Sequence, residues 1–136
     1  ALRDTESVPL RYVEIVKGWH DGTTTQERVY PLYEAPNGGS APTVDPDTCT
    51  TTGTGADSIC TEWVDPDFDP GQPAFYYVRV RENPTCRWQR YVCRDLGVDC
   101  STMTSTDPLY SCCDPTIPKT IEERAWSSPI WYLPPR

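Results

Sequence analysis

The sequence predicts an all-β fold: an antiparallel β-sandwich of the immunoglobulin-like kind, stapled by disulfides and carrying long loops. Three observations predict it. Residues 73–82 alternate aromatic and β-branched side chains at period two, between Pro73 at the start and Asn83-Pro84 at the end. Fifteen Pro and eight Gly interrupt the 136 residues too often for long helices. Seven cysteines stand in a chain only 37% hydrophobic, where cross-links must supplement a small core.

Residues 1–9 are polar and irregular, closed off by Pro9, and read as an N-terminal arm ahead of a single domain at 10–136. Leu10 to Lys17 forms a first strand ending at Gly18. Asp21-Gly22 marks a turn, and Gln26 to Tyr33 returns antiparallel. Pro31 in that second strand requires an edge position or a bulge, because proline donates no ladder hydrogen bond. Residues 36–55 are loop, with turn signals at Asn37-Gly38-Gly39 and Asp45-Pro46-Asp47. A short strand carrying Trp63 is expected over 59–64. The central strand follows, with Ala74, Tyr76, Val78 and Val80 facing the core beside Trp126 or Trp131. Trp88, Tyr91 and Val92 lie at helical spacing although the composition also suits a strand, and 86–96 is expected to form a short helix or irregular turn that ends at Gly97. Residues 98–120 form a second long loop, and 124–133 a last strand that Pro129 kinks or confines to an edge.

The cysteines fall at positions 49, 60, 86, 93, 100, 112 and 113. Zinc knuckles need Cys-x-x-Cys or Cys/His pairs, and haem attachment needs Cys-x-x-Cys-His. Neither pattern occurs, and His20 is the only histidine, so no cofactor is expected. Disulfides in an oxidising compartment are the better reading, which places the protein in a secreted, extracellular or periplasmic setting. All seven, Cys49, Cys60, Cys86, Cys93, Cys100, Cys112 and Cys113, are disulfide candidates. One of them must stay free or bond another chain. The vicinal Cys112 and Cys113 are expected to reach two different partners, since a bond between them would strain the peptide. Met103 is the only methionine, so the chain is expected either to have been processed, for which Ala1 suits signal-peptide cleavage, or to be a piece of something longer.

A net charge of -8 argues against nucleic acid and anionic membranes as partners. No apolar run approaches the roughly 20 residues a spanning helix requires. Asp65, Asp67 and Asp69 alternate as oxygens do in the first half of a calcium loop, and are the candidate metal ligands. Pro70 and Tyr76 replace the loop's glycine and glutamate, which favours a Pro-braced turn instead. His20 beside Asp21 would make a general-base pair, but no nucleophile adjoins it, and an exposed loop histidine is the simpler expectation. Trp63, Trp88, Trp126 and Trp131 are candidates for a sugar-stacking platform, against the more ordinary reading of core packing. The threonines of 48–54 are either O-glycan acceptors or an ordinary solvated loop.

Four phrases resemble a known family: residues 10–19 (LRYVEIVKGW), 63–70 (WVDPDFDP), 75–80 (FYYVRV) and 122–132 (EERAWSSPIWY). They are similar to the C-terminal region of the domain of unknown function 3604 family, and Arg87-Trp88 fits the same pattern. The resemblance implies an all-β C-terminal module of secreted, metal-dependent hydrolases whose metal ligands lie upstream. It therefore carries no site residue onto this chain. The expected function is a non-catalytic structural or interaction module. It would assemble with copies of itself or with another secreted protein, through its arm and its odd cysteine. The alternative is an accessory domain or small subunit of a hydrolase.

Overall fold

The computed structural model describes residues 1–35 and 40–135; the Asn37-Gly38-Gly39 turn lies outside them. The chain runs β1 (Leu10–His20), β2 (Thr25–Glu34), β3 (Thr43–Val44), β4 (Thr51–Thr52), β5 (Ala74–Glu82), β6 (Thr85–Cys86) and α1 (Trp88–Asp95). A single 3₁₀ turn at Tyr110–Cys112 follows, then β7 (Thr120–Ile121), β8 (Arg124–Trp126) and β9 (Ile130–Tyr132). The fold is all-β, antiparallel and disulfide-stapled. Among the described residues the strands make one five-stranded sheet and two ladders, β3–β4 and β6–β7, each two residues long.

In the large sheet β2 pairs β1, β1 pairs β5, and the far edge of β5 is shared by β8 and β9. Strand β5 is central, as its alternation predicts. Pro31 sits on β2, which has no outer partner among the described residues, beside the register shift at Val13/Glu14. The edge and the bulge together remove the need for its missing N–H. Pro129 splits the last strand into β8, against Arg79–Arg81, and β9, against Ala74–Tyr76. Residues 59–64 form no strand. They are held by the arm instead, since Ala1 N donates to Ile59 O at 2.7 Å and Ile59 N returns to Ala1 O at 2.9 Å. The arm is therefore paired within its own chain, not left free for a neighbour's sheet edge.

Cross-strand register assigns the two faces. On one lie Ile15, Lys17, Tyr30, Tyr76, Val78 and Val80; on the other, Glu14, Val16, Gly18, Phe75, Tyr77, Arg79 and Arg81. Trp126 is opposite Arg79 and Trp131 opposite Phe75, so both tryptophans lie on the face away from Val78. The expected packing of Val78 beside a tryptophan is thus corrected: its face receives Ala125 and Ile130 instead. Ala74 is buried, while Tyr76, Val78 and Val80 are half-buried.

Gly18 has a steric duty. A Cβ there would stand 2.2 Å from Phe75 Cζ, because the Phe75 ring lies across the strand at that point. Gly18→Ala is expected to swing Phe75 off Trp131, whose ring centroid is 5.2 Å away, and to cost about 1–3 kcal/mol as overpacking does. A urea titration within about 0.5 kcal/mol of the parent would show that the ring moves freely.

The buried apolar residues are Leu10, Val13, Val16, Ala35, Ala74 and the cysteines Cys49, Cys86, Cys93 and Cys112. Beyond the sheet, then, the buried material is mostly sulfur. Cys49–Cys86 ties the first long loop to β6, while Cys93–Cys112 and Cys100–Cys113 tie α1 and the second loop together. Cys112 and Cys113 do reach separate partners. The odd thiol is Cys60, which is exposed. Helix α1 falls where helical spacing places it, and Gly97 follows its C-cap Leu96 at φ 62°, a conformation glycine adopts freely.

Candidate functional site

The three alternating aspartates lie in a strap, residues 63–70, that crosses the sheet face bearing Lys17. Lys17 projects from the middle of β1 with only 3% of its side chain exposed. Its Nζ donates to Asp65 Oδ2 at 2.5 Å and to Asp67 O at 2.8 Å. Tyr76 OH donates to Asp65 Oδ2 at 2.8 Å, Tyr30 OH donates to Asp67 Oδ2 at 2.7 Å, and Arg28 pairs with Asp67 at 2.5 Å. Trp63 fills the space between the Tyr30 and Tyr76 rings, at 5.0 and 6.1 Å. Phe68 meets Tyr132 edge-on at 4.8 Å. Together these contacts join the strap to β1, β2, β5 and β9 of the sheet.

Burial pushes the Asp65 carboxyl up, but the hydrogen bonds from Lys17, the Asp67 N–H and Tyr76 outweigh it and hold the group below the usual carboxylate range. The tyrosines move the other way. Burial and the hydrogen bond to Asp67 push Tyr30 from 10.0 up to about 12, and burial with the bond to Asp65 raises Tyr76 as well. A phenol whose folded pKa is raised stabilises the fold fully below its unfolded pKa, and that stability is lost as pH rises through the folded value. Stability is therefore expected to fall as pH climbs from about 10 towards 12, and phenolate absorbance should rise with unfolding. Ionisation of all tyrosines at pH 10 without unfolding would contradict this hydrogen bonding.

The oxygens of Asp65 and Asp67 are taken by a lysine, an arginine and two phenols. Asp69 lies apart and accepts from Gly71 N at 2.8 Å. A dication at Asp65, Asp67 and Asp69 would have to displace both cations, so the run acts as a turn and clasp. Among the described residues, no group of three or more His, Cys, Asp or Glu side chains gathers at metal-binding distance. The sequence signal that escaped notice was Lys17 itself, a cation at an inward position of an apolar strand.

His20 and Asp21 do not face each other as a catalytic pair. Gly22 N donates to His20 Nδ1 at 3.0 Å, while Asp21 Oδ1 accepts from Thr23 N at 2.9 Å and Thr24 N at 2.8 Å. Both side chains build the β1–β2 turn. Of the threonine run, Thr51 and Thr52 form β4 against β3.

The tryptophans divide. Trp63 is half-buried in the strap, but Trp88, Trp126 and Trp131 are 78%, 59% and 67% exposed, so core packing does not describe them. Trp131 sits with exposed Ile130 and Leu133 on the last edge of the sheet. On the same face lies a row of charges, in which Arg79 pairs with Glu14 at 2.8 Å and Arg81 bridges Glu14 and Glu122 at 3.5 Å each. Glu122 also takes Arg11.

No helix among the described residues is long and apolar enough to cross a membrane. Three disulfides agree with an oxidising, extracellular setting. No curated protein and no solved structure matches the chain. The family described as Protein of unknown function (DUF3604) matches residues 1–134, and with strands, strap and final edge all inside that span, the chain belongs to this family.

Proposed function

We propose that the chain is a non-catalytic interaction module of a secreted protein, which joins copies of itself or another secreted protein into an extracellular assembly such as a filament. The bare final edge supports this most directly. Ile130 and Leu133 are each 73% exposed beside Trp131, on a strand whose outer backbone pairs with nothing among the described residues. Residues 124–136 carry Arg124 and Arg136 and no acidic side chain, a formal side-chain charge of +2 that leaves -10 on the rest. Unlike surfaces meeting head to tail suit this distribution better than like surfaces meeting symmetrically. Head-to-tail contacts that do not close build open chains. The exposed Cys60 thiol offers a covalent link between copies.

Light scattering of the oxidised chain tests the proposal: mass should rise with concentration and fall back in a Trp131→Ser/Leu133→Ser variant. A monomer at near-millimolar concentration defeats it. A second reading, an accessory domain of a metal-dependent hydrolase, draws on the incomplete cover of the sheet. Val78 and Val80 of the central strand open into a groove of about 380 Å³ that Leu2, Leu10 and Ala125 also line. A catalytic chain copurifying in fixed ratio with the native material, seen by mass spectrometry, would favour that reading.

A further inference from the structure

Strand β8, the β6–β7 ladder and the start of α1 enclose two adjoining clefts. One, of about 570 Å³, is lined by Pro84, Thr120, Arg124 and Trp126; the other, of about 260 Å³, by Arg87, Trp88 and Gln89. Ile121 and Glu123 line both, so the two form a continuous trough. The ladder fixes its floor: Thr85 pairs with Ile121, Cys86 with Thr120, and Arg87 N donates to Lys119 O at 2.9 Å. The Cys49–Cys86 bond anchors that ladder from behind.

The lining combines two kinds of group. Trp88 and Trp126 present broad indole surface to solvent, a costly arrangement for the largest apolar side chain. Around them stand polar groups with unused capacity. Arg87, Arg124 and Glu123 form no ion pair among the described residues, in contrast to Glu122, which is spent on Arg11 and Arg81. The Gln89 amide nitrogen donates to Ser111 O at 3.1 Å, which leaves its carbonyl oxygen to accept. Flat apolar rings flanked by guanidinium donors and by carboxylate and carboxamide acceptors match one ligand chemistry closely. A pyranose ring has an apolar C–H face, and its edge carries adjacent hydroxyls that both donate and accept.

We propose that this trough binds a glycan chain, with sugar rings stacked on Trp88 and Trp126 and their hydroxyl or carboxylate groups held by Arg87, Arg124 and Glu123. The volume falls in the range of small-ligand sites, and the trough is open enough for a chain to pass along it. This site is separate from the Ile130–Leu133 edge and does not depend on assembly.

Native affinity electrophoresis of the intact, oxidised chain tests it, in gels cast with xylan, mixed-linkage β-glucan or polygalacturonate. At least one polymer should retard the protein. Trp88→Ala and Trp126→Ala should each weaken that retardation at least tenfold, while Leu109→Ala, at an exposed residue that lines neither cleft, leaves it unchanged. Retardation by polygalacturonate alone would assign the arginines to a uronate carboxylate; retardation by a neutral polymer would assign them to hydroxyls. No retardation by any of the three overturns the proposal. So does retardation that both variants retain, or that Leu109→Ala abolishes as fully as Trp126→Ala. Both target tryptophans are exposed, so the variants should keep the parent's far-ultraviolet circular dichroism. Light scattering without sugar reads assembly separately.

Discussion

Lys17→Ala is expected to destabilise the protein by about 3–5 kcal/mol, the cost of removing one partner of a buried ion pair. The mutation leaves the Asp65 carboxylate, 6% exposed, with the Tyr76 hydroxyl and the Asp67 N–H but no countercharge. It also removes the ammonium held 5.3 Å from the Trp19 ring centroid. Replacing both partners, as Lys17→Met with Asp65→Asn, should recover most of the loss, because neither charge then needs solvation in the interior. Arg28→Ala is the contrast. Its pair with Asp67 is about half exposed, and such pairs contribute about 0–1 kcal/mol. Urea titrations of the variants rank them, and a Lys17→Ala cost below about 1 kcal/mol would mean that water reaches beneath the strap.

Loss of the Cys49–Cys86 bond should have a comparable effect. It closes 37 residues of sequence separation against 13 for Cys100–Cys113. On the loop-entropy account this is about 4 kcal/mol against about 3. The larger bond also spans the larger structural gap, since it is the covalent link between the first long loop and β6. Noncovalent support there is thin: Arg90 reaches Pro46 O at 2.5 Å and Asp47 at 2.6 Å. Cys49→Ala/Cys86→Ala should therefore melt well below Cys100→Ala/Cys113→Ala. The reverse order would show that the second loop, not the first, limits stability.

The long strands were legible in the sequence because period-two alternation over eight to eleven residues leaves little choice of structure. Tyr76, Val78 and Val80 share a face as that alternation requires. Their companions were not legible, since pairing sets them: Pro129 interrupts the last strand, and the register that resumes puts Trp126 and Trp131 on the opposite side. The helix at Trp88–Asp95 was readable from the spacing of Trp88, Tyr91 and Val92. The tie between the arm and residues 56–59 was not, because it rests on backbone hydrogen bonds that carry no side-chain pattern. The strap was half legible. Asp65-Pro66-Asp67 announces a turn, but nothing local says that a lysine 48 positions earlier holds it down.

The pattern of cross-links also decides what a protease can accomplish. The Cys49–Cys86 bond spans residues 49–86, which hold the end of the first loop and the strap, and the Cys93–Cys112 and Cys100–Cys113 bonds together span everything from residue 93 to 113. A single backbone cut anywhere in either span leaves both halves joined through sulfur. These spans hold the exposed loops that a protease meets first. The oxidised protein can thus be nicked in these segments and shed nothing, and the cut would show as two fragments only after reduction.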